Sequence, residues 1–259
     1  MMIVIKLETT MPTPKNRAVN RQKRREGKPC NHDPFLQLVE SDVRRKSTKP
    51  RNATLKPLTE AQERYDAQIR SKLITFGVGP AGTGKTWWAA MRAAEAFRDG
   101  EIASIIITRP AIEAGEKMGF LPGELEDKYE PYFRPVRDAL EECLGSGHLE
   151  YALKSKQIEA RPLGYLRGAT LKNCWVIADE MQNATKSEIK LLLTRFGENS
   201  KFVVNGDPDQ CDLPDQSRSG LMDAIRRLET HEQIGVTKFS IEDIVRHGIV
   251  QDIIRAYAD

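Results

Sequence analysis

Eight consecutive residues, Gly79-Pro80-Ala81-Gly82-Thr83-Gly84-Lys85-Thr86, fit the pattern G-x-x-x-x-G-K-[ST] in full. Glycines at this density let backbone N–H groups close around phosphate oxygens, and a helix that starts there adds its positive end. A lysine in the seventh place reaches the outer phosphates, and a hydroxyl in the eighth ligates Mg²⁺. The chemistry expected of Lys85 and Thr86 is binding of ATP, or a related nucleoside triphosphate, with Mg²⁺. A glycine-rich turn without a ligand is the bland alternative. Against it stand the apolar run Leu73–Val78 before the motif and the helical stretch Thr86–Arg98 after it, the context this loop requires.

A second constellation follows roughly 95 residues further on. Cys174-Trp175-Val176-Ile177-Ala178-Asp179-Glu180 is an apolar run ending in two carboxylates. A buried strand delivers Asp179 to its end, where it can hold the metal, and Glu180 can orient or deprotonate an attacking water. A carboxylate after a strand often only caps the next helix. It is the loop upstream that favours the catalytic reading. Gly206-Asp207-Pro208-Asp209-Gln210 is a turn sequence by composition. Its place after the strand Lys201–Asn205 would let the Gln210 amide meet the γ-phosphate or the water. Thr108-Arg109-Pro110 and Tyr165-Leu166-Arg167-Gly168 place cations near the same rim, where Arg109 and Arg167 are either nucleic-acid contacts or ordinary surface arginines.

These residues need a scaffold that brings strand ends together. Short apolar runs at Leu73–Val78, Ile102–Thr108, Ile158–Pro162, Cys174–Ala178, Lys201–Asn205 and Gly235–Phe239 alternate with helical stretches. Those stretches are Glu60–Arg70, Thr86–Arg98, Arg134–Leu144, Lys186–Thr194, Gly220–Arg227 and Ile241–Ala258. Strands that are apolar throughout and alternate with helices imply an α/β fold, a mostly parallel sheet covered on both faces. Ligands of such sheets bind at the carboxyl ends of the strands.

The length, 259 residues, suits one such domain, expected over 58–259, with a flexible segment at 1–57. That segment carries about 14 Lys and Arg against about 5 Asp and Glu. The charge is either an attraction for a polyanion through counterion release or a solvated, solubilising tail. Cys30, Cys143, Cys174 and Cys211 are scattered without a C-x-x-C pair, which points away from a disulfide framework or a zinc site. No apolar run approaches the roughly 20 residues of a membrane span, and Met1-Met2-Ile3-Val4-Ile5 is too short for a secretory leader. No membrane contact and a cytoplasmic location are expected.

The run from Gln62 to Tyr257 resembles the PhoH family, ATPases whose core is similar to the RecA-like motor domain of superfamily 1 helicases. The resemblance is carried by Gly79–Thr86, Ile106-Ile107-Thr108-Arg109-Pro110, Gly119-Phe120-Leu121-Pro122-Gly123, Asp179-Glu180-Met181-Gln182-Asn183, Gly206–Gln210, Ser219-Gly220-Leu221 and Asp243-Ile244-Val245-Arg246-His247. It implies a single RecA-like domain in which Gln62 reads adenine. Gln182 and Gln210 would couple the γ-phosphate to nucleic acid, and Arg246 would serve as an arginine finger. It also implies a homo-oligomer, a hexameric ring in which Arg246 acts on the adjacent subunit's site. Met181 departs from the smaller residue usual after the acidic pair.

The leading expectation is an ATPase that binds or remodels single-stranded RNA or DNA. The aromatics Phe120, Tyr129, Tyr132 and Phe133 are either base-stacking groups or core. The alternative is a regulatory nucleotide switch acting on a protein partner. A metabolite kinase is disfavoured, because Glu180 serves water activation and no acceptor-pocket motif is evident.

Overall fold

Apolar runs that must bury both faces have one economical arrangement, and the computed structural model adopts it over the residues it describes, 55–110, 125–246 and 248–256. The basic segment to residue 54 and the stretch with Phe120 lie outside those residues. Helix α1 (Glu60–Ser71) leads into β1 (Ile74–Val78), followed by α2 (Lys85–Arg98), β2 (Ser104–Arg109), α3 (Leu125–Leu144), α4 (Ser146–Lys154) and β3 (Ile158–Pro162). Then come β4 (Cys174–Ala178), α5 (Lys186–Leu193), β5 (Lys201–Gly206), α6 (Leu221–Leu228), β6 (Ile234–Lys238) and α7 (Gly248–Ala256).

The six strands form one parallel sheet in the order β3-β2-β4-β5-β1-β6. All six apolar runs are strands, as their composition predicts. Alternate residues point to opposite faces: Ile105, Ile107 and Val203 enter one core with α1 to α4, while Ile106, Phe202 and Val204 enter the other with α5 and α6. Helix α2 turns Ala89, Ala90, Ala93, Ala94 and Ala96 inward, small side chains that let its backbone lie close to the sheet. Register then aligns the carboxyl ends, with Val78 opposite Gly206, Ala178 opposite Val204 and Thr108 opposite Ala178. The loops after β1, β5, β4 and β2 therefore emerge side by side.

The helices depart from the sequence reading in three places. Helix α3 begins at Leu125, ahead of the expected start at Arg134, and runs through Pro131 and Pro135. Helix α4 lies outside the expected helical stretches and is anchored by burying Leu149 and Ala152. The stretch expected as one helix over Ile241–Ala258 is divided. Ser240 and Asp243 form a capping box around a 3-10 turn, Ile244 is buried, and α7 starts only at Gly248. No described helix is long and apolar enough to cross a membrane.

A fully buried polar contact helps tie α1 to the sheet. Tyr65 is fully buried, donates its hydroxyl to the Asn205 Oδ1 at 2.5 Å and meets Phe239 edge-on at 5.3 Å. The Asn205 amide nitrogen has no partner, so the tyrosine is what satisfies this side chain. Tyr65→Phe should cost about 1–3 kcal/mol, the penalty of an orphaned buried acceptor. Urea unfolding measures it, and an unshifted midpoint would show that Asn205 finds another partner.

Candidate active site

The loop after β1 is shaped by backbone crowding. At Gly79, φ is 138°, and a Cβ there would stand 2.3 Å from the Phe239 carbonyl oxygen, so no other residue fits. Helix α2 opens at Lys85 with Gly84 as its cap and no capping side chain, which leaves its first amides for an anion. The Lys85 Nζ folds into the loop and donates to the carbonyls of Gly79 at 2.7 Å and Pro80 at 2.8 Å. Burial pushes the Lys85 ammonium below its ordinary range, opposed by the nearby Asp207, Asp179 and Glu180 carboxylates. A lysine held by its own loop's carbonyls is poised for a phosphate, which would give it a better acceptor.

Thr86 and Asp179 meet across the cleft. The Thr86 hydroxyl donates to the Asp179 Oδ1 at 3.0 Å, two hard oxygen ligands side by side. Among the described residues no group of three or more His, Cys, Asp and Glu could cage a metal. That sparse donor set fits Mg²⁺, which binds through one or two protein oxygens, with phosphate and water completing its shell. Asp179 is buried, and burial raises its carboxyl above the usual range, countered chiefly by Arg109.

Glu180 takes a left-handed backbone, φ 55°, a conformation that costs a non-glycine residue on the order of 1 kcal/mol. The turn aims its carboxylate back over the strand ends. Its Oε1 accepts from the Arg109 Nη2 at 3.0 Å and its Oε2 from the Gln182 Nε2 at 2.7 Å. Gln182 is itself buried, and its Oε1 accepts from the Asp207 N–H at 3.0 Å, joining the ends of β4 and β5. Gly206 has to be glycine for this contact, because a Cβ would meet the Gln182 nitrogen at 2.9 Å and Leu221 at 2.5 Å.

Asp207 is the functional group the sequence reading passed over. It is 6% exposed, and burial raises its carboxyl. Its Oδ2 accepts from the Gln210 Nε2 at 2.7 Å. Of the anions around Lys85 it has the largest influence. The signal was present as Gly-Asp directly after an apolar strand, but it read as turn chemistry. Lys85, Thr86, Asp179, Glu180, Asp207 and Gln210 all line one cleft of about 290 Å³.

Arg109 and Arg246 line the same cleft. Gln62, expected to read adenine, is 2% exposed with its amide already committed. Its Nε2 donates to the Thr83 carbonyl at 3.0 Å, and its Oε1 accepts from the Leu58 N–H at 2.8 Å. It braces the phosphate loop. Arg246, expected to serve a neighbouring subunit, lies across its own chain's Gly82, within 3.0 Å of where a Cβ would be. The adjacent Val245 N–H is bonded to the Gly82 carbonyl. Arg109 turns inward onto the carboxylates, its side chain 19% exposed. Arg167 stays exposed after β3, outside the cleft. Phe133 is core, 5% exposed.

A larger hollow of about 550 Å³ opens at the opposite ends of the strands, beside Trp175. Two of its cations are already partnered, Arg92 by Asp66 and Glu95 and Lys201 by the Ile69 and Arg70 carbonyls. The cleft at the carboxyl ends holds the convergent groups.

A family model described as "PhoH-like protein" matches residues 54–258. A PhoH-like protein of Bacillus subtilis (strain 168) is 43% identical over 223 residues, 86% of this chain and 70% of the relative. Protein PhoH of Escherichia coli (strain K12) is 46% identical over 201 residues, 77% of this chain and 57% of the relative. The matched region thus spans 57–70% of the length of these curated relatives. Among solved structures, a Sulfolobus solfataricus SWI2/SNF2 ATPase core in complex with dsDNA aligns with a TM-score of 0.42 at 12% identity, over 76% of this chain and 48% of that one.

Two outcomes follow from the geometry. Gln62→Ala should weaken ATP and GTP binding by the same factor, measured by calorimetry, because a loop brace is lost. A loss confined to ATP would return Gln62 to reading the base. For Asp179 the folded pKa is raised, so its contribution to stability is complete below the ordinary carboxylate range and is lost as pH rises through the folded value. Asp179→Asn should therefore raise the thermal midpoint of the ligand-free protein at pH 8 by a few degrees, as for a change of about 1 kcal/mol in a domain this long. The gain should shrink toward pH 4, and a pH-independent difference would assign the effect to packing.

Proposed function

The chain belongs to the PhoH-like family, and on that premise we propose that it is a Mg²⁺-dependent ATPase whose turnover is coupled to single-stranded RNA or DNA. The observation that carries the reading is the placement of Glu180 beside a complete phosphate loop and metal pair, within one cleft. Lys85 exchanges its loop carbonyls for the β- and γ-phosphate oxygens. Thr86 and Asp179 would hold Mg²⁺, which would supply neutralising charge to the phosphates. Glu180 accepts the proton of the attacking water, a role worth about 10²–10⁴ in rate. Gln210 offers its amide to the γ-phosphate. Arg246 adds positive charge from its own chain's P-loop rim.

A homo-oligomeric ring, in which Arg246 on this rim acts at its own or the adjacent subunit's site, would also serve the handling of a strand. The strand itself is favoured by exposed cations and an aromatic group on the outer rim. Tyr165 is 67% exposed, two residues from the exposed Arg167, and a base stacked on such a ring gains about 1–3 kcal/mol. The basic segment before residue 58 adds attraction for a polyanion. A regulatory switch acting on a protein partner is the second reading, favoured by the ligand-free contacts that occupy both Glu180 oxygens.

Phosphate release from Mg²⁺·ATP, with and without single-stranded RNA or DNA, decides between them. Glu180→Gln should still bind nucleotide while release falls by about 10²–10⁴, and a strand should accelerate the wild type. Release that depends on Glu180 but ignores either strand would leave the regulatory switch. Release unaffected by Glu180→Gln would remove the catalytic assignment.

A further inference from the structure

Arg109 lines the same cleft as Lys85 and Glu180. It ends β2 beside β4, and its Nη2 lies 3.0 Å from the Glu180 Oε1 and 3.6 Å from the Asp179 Oδ2. The side chains of Arg109 and Asp179 are 19% and 10% exposed, so water screens this contact poorly. The other Asp179 oxygen already faces Thr86. One carboxylate thus has a guanidinium on one side and the metal-binding hydroxyl on the other. The second oxygen of Glu180 is held by Gln182, which fixes the carboxylate at both ends.

We propose that Arg109 is a positioning residue that stands in for the metal's charge: without Mg²⁺ it neutralises Asp179 and clamps Glu180, and Mg²⁺ must displace it. The inference rests on the nucleotide-binding reading above. Like charges beside one poorly hydrated carboxylate repel. A divalent ion shared by Thr86 and Asp179 therefore weakens the hold of Arg109 on both acids. Release of the guanidinium frees the Glu180 Oε1, the oxygen that would otherwise meet the reacting water. The clamp makes hydrolytic competence conditional on metal, so Glu180 is not aimed at a nucleotide that arrives alone. A released Arg109 also becomes the nearest cation at the end of β2 for a phosphate approaching from the rim.

The test uses the full chain and a fluorescent ADP analogue, with Mg²⁺ titrated from chelated conditions and binding read by anisotropy. In Arg109→Gln the Mg²⁺ concentration for half-maximal binding should fall roughly three- to tenfold, because no cation has to leave. Binding without Mg²⁺ should weaken, because phosphates now face uncompensated carboxylates. Arg109→Met, which keeps the stem without the charge, should behave the same way, so the result does not hang on one variant's folding. Arg109→Lys should restore wild-type Mg²⁺ demand, since charge rather than shape does the displacing. An unchanged or increased Mg²⁺ demand in the neutral variants would overturn the clamp. A wild type that binds no nucleotide with or without Mg²⁺ would overturn the underlying reading instead, and the two failures are distinguishable.

Discussion

Everything at the carboxyl end of this sheet answers to one electrostatic constraint: carboxylates and a lysine share a space too poorly hydrated to hold them separately. Asp179 and Asp207 are both pushed up by burial, and Lys85 is pushed down by it. Each would be costly alone, since burying an unpaired charge is among the more expensive acts in a fold. Together they form an alternating set in which Lys85 faces Asp207 and Arg109 faces Asp179 and Glu180. The parallel sheet is what makes this possible, because adjacent strand ends in register set Thr108, Ala178 and Val204 in one row, with Val78 and Gly206 paired two residues further on. The two apolar cores keep that row rigid.

Much of this was legible in the residues. The phosphate loop is a contiguous pattern with its own flanking strand and helix, and the six strands are apolar throughout because both faces of the sheet are covered. Lys85, Thr86, Asp179 and Glu180 came out where their motifs place them. What stayed hidden shares a physical cause. Gln62 and Val245 both act on the loop by bonding to its carbonyls, and a backbone acceptor is present at every position, so no side-chain pattern marks the one that is used. Arg246 needs the chain path after β6 to be known before its reach can be judged. Asp207 read as a turn residue because its burial depends on Gly206 letting Gln182 approach.

The same residues show where the fold gives up stability. Glu180 holds a strained backbone, Asp179 would rest more easily as a neutral group, and Lys85 satisfies itself with carbonyls of its own loop. These are features a stability-optimised sequence would remove, and a site built to meet a triphosphate would retain them. On the proposed reading, Lys85 and Arg109 hold places that the charges of a bound nucleotide and metal would take.

The phosphate loop is also held from two directions. Gln62, near the start of the domain, grips the Thr83 carbonyl, and Val245, close to its end, grips Gly82 one residue earlier. The first and last portions of the chain thus converge on neighbouring peptide units, about 180 residues apart in sequence, like two hands on one latch. Any domain joined upstream of α1 or downstream of α7 would have a short mechanical line to the nucleotide. Tension applied at either end could then be read as occupancy, and occupancy as tension.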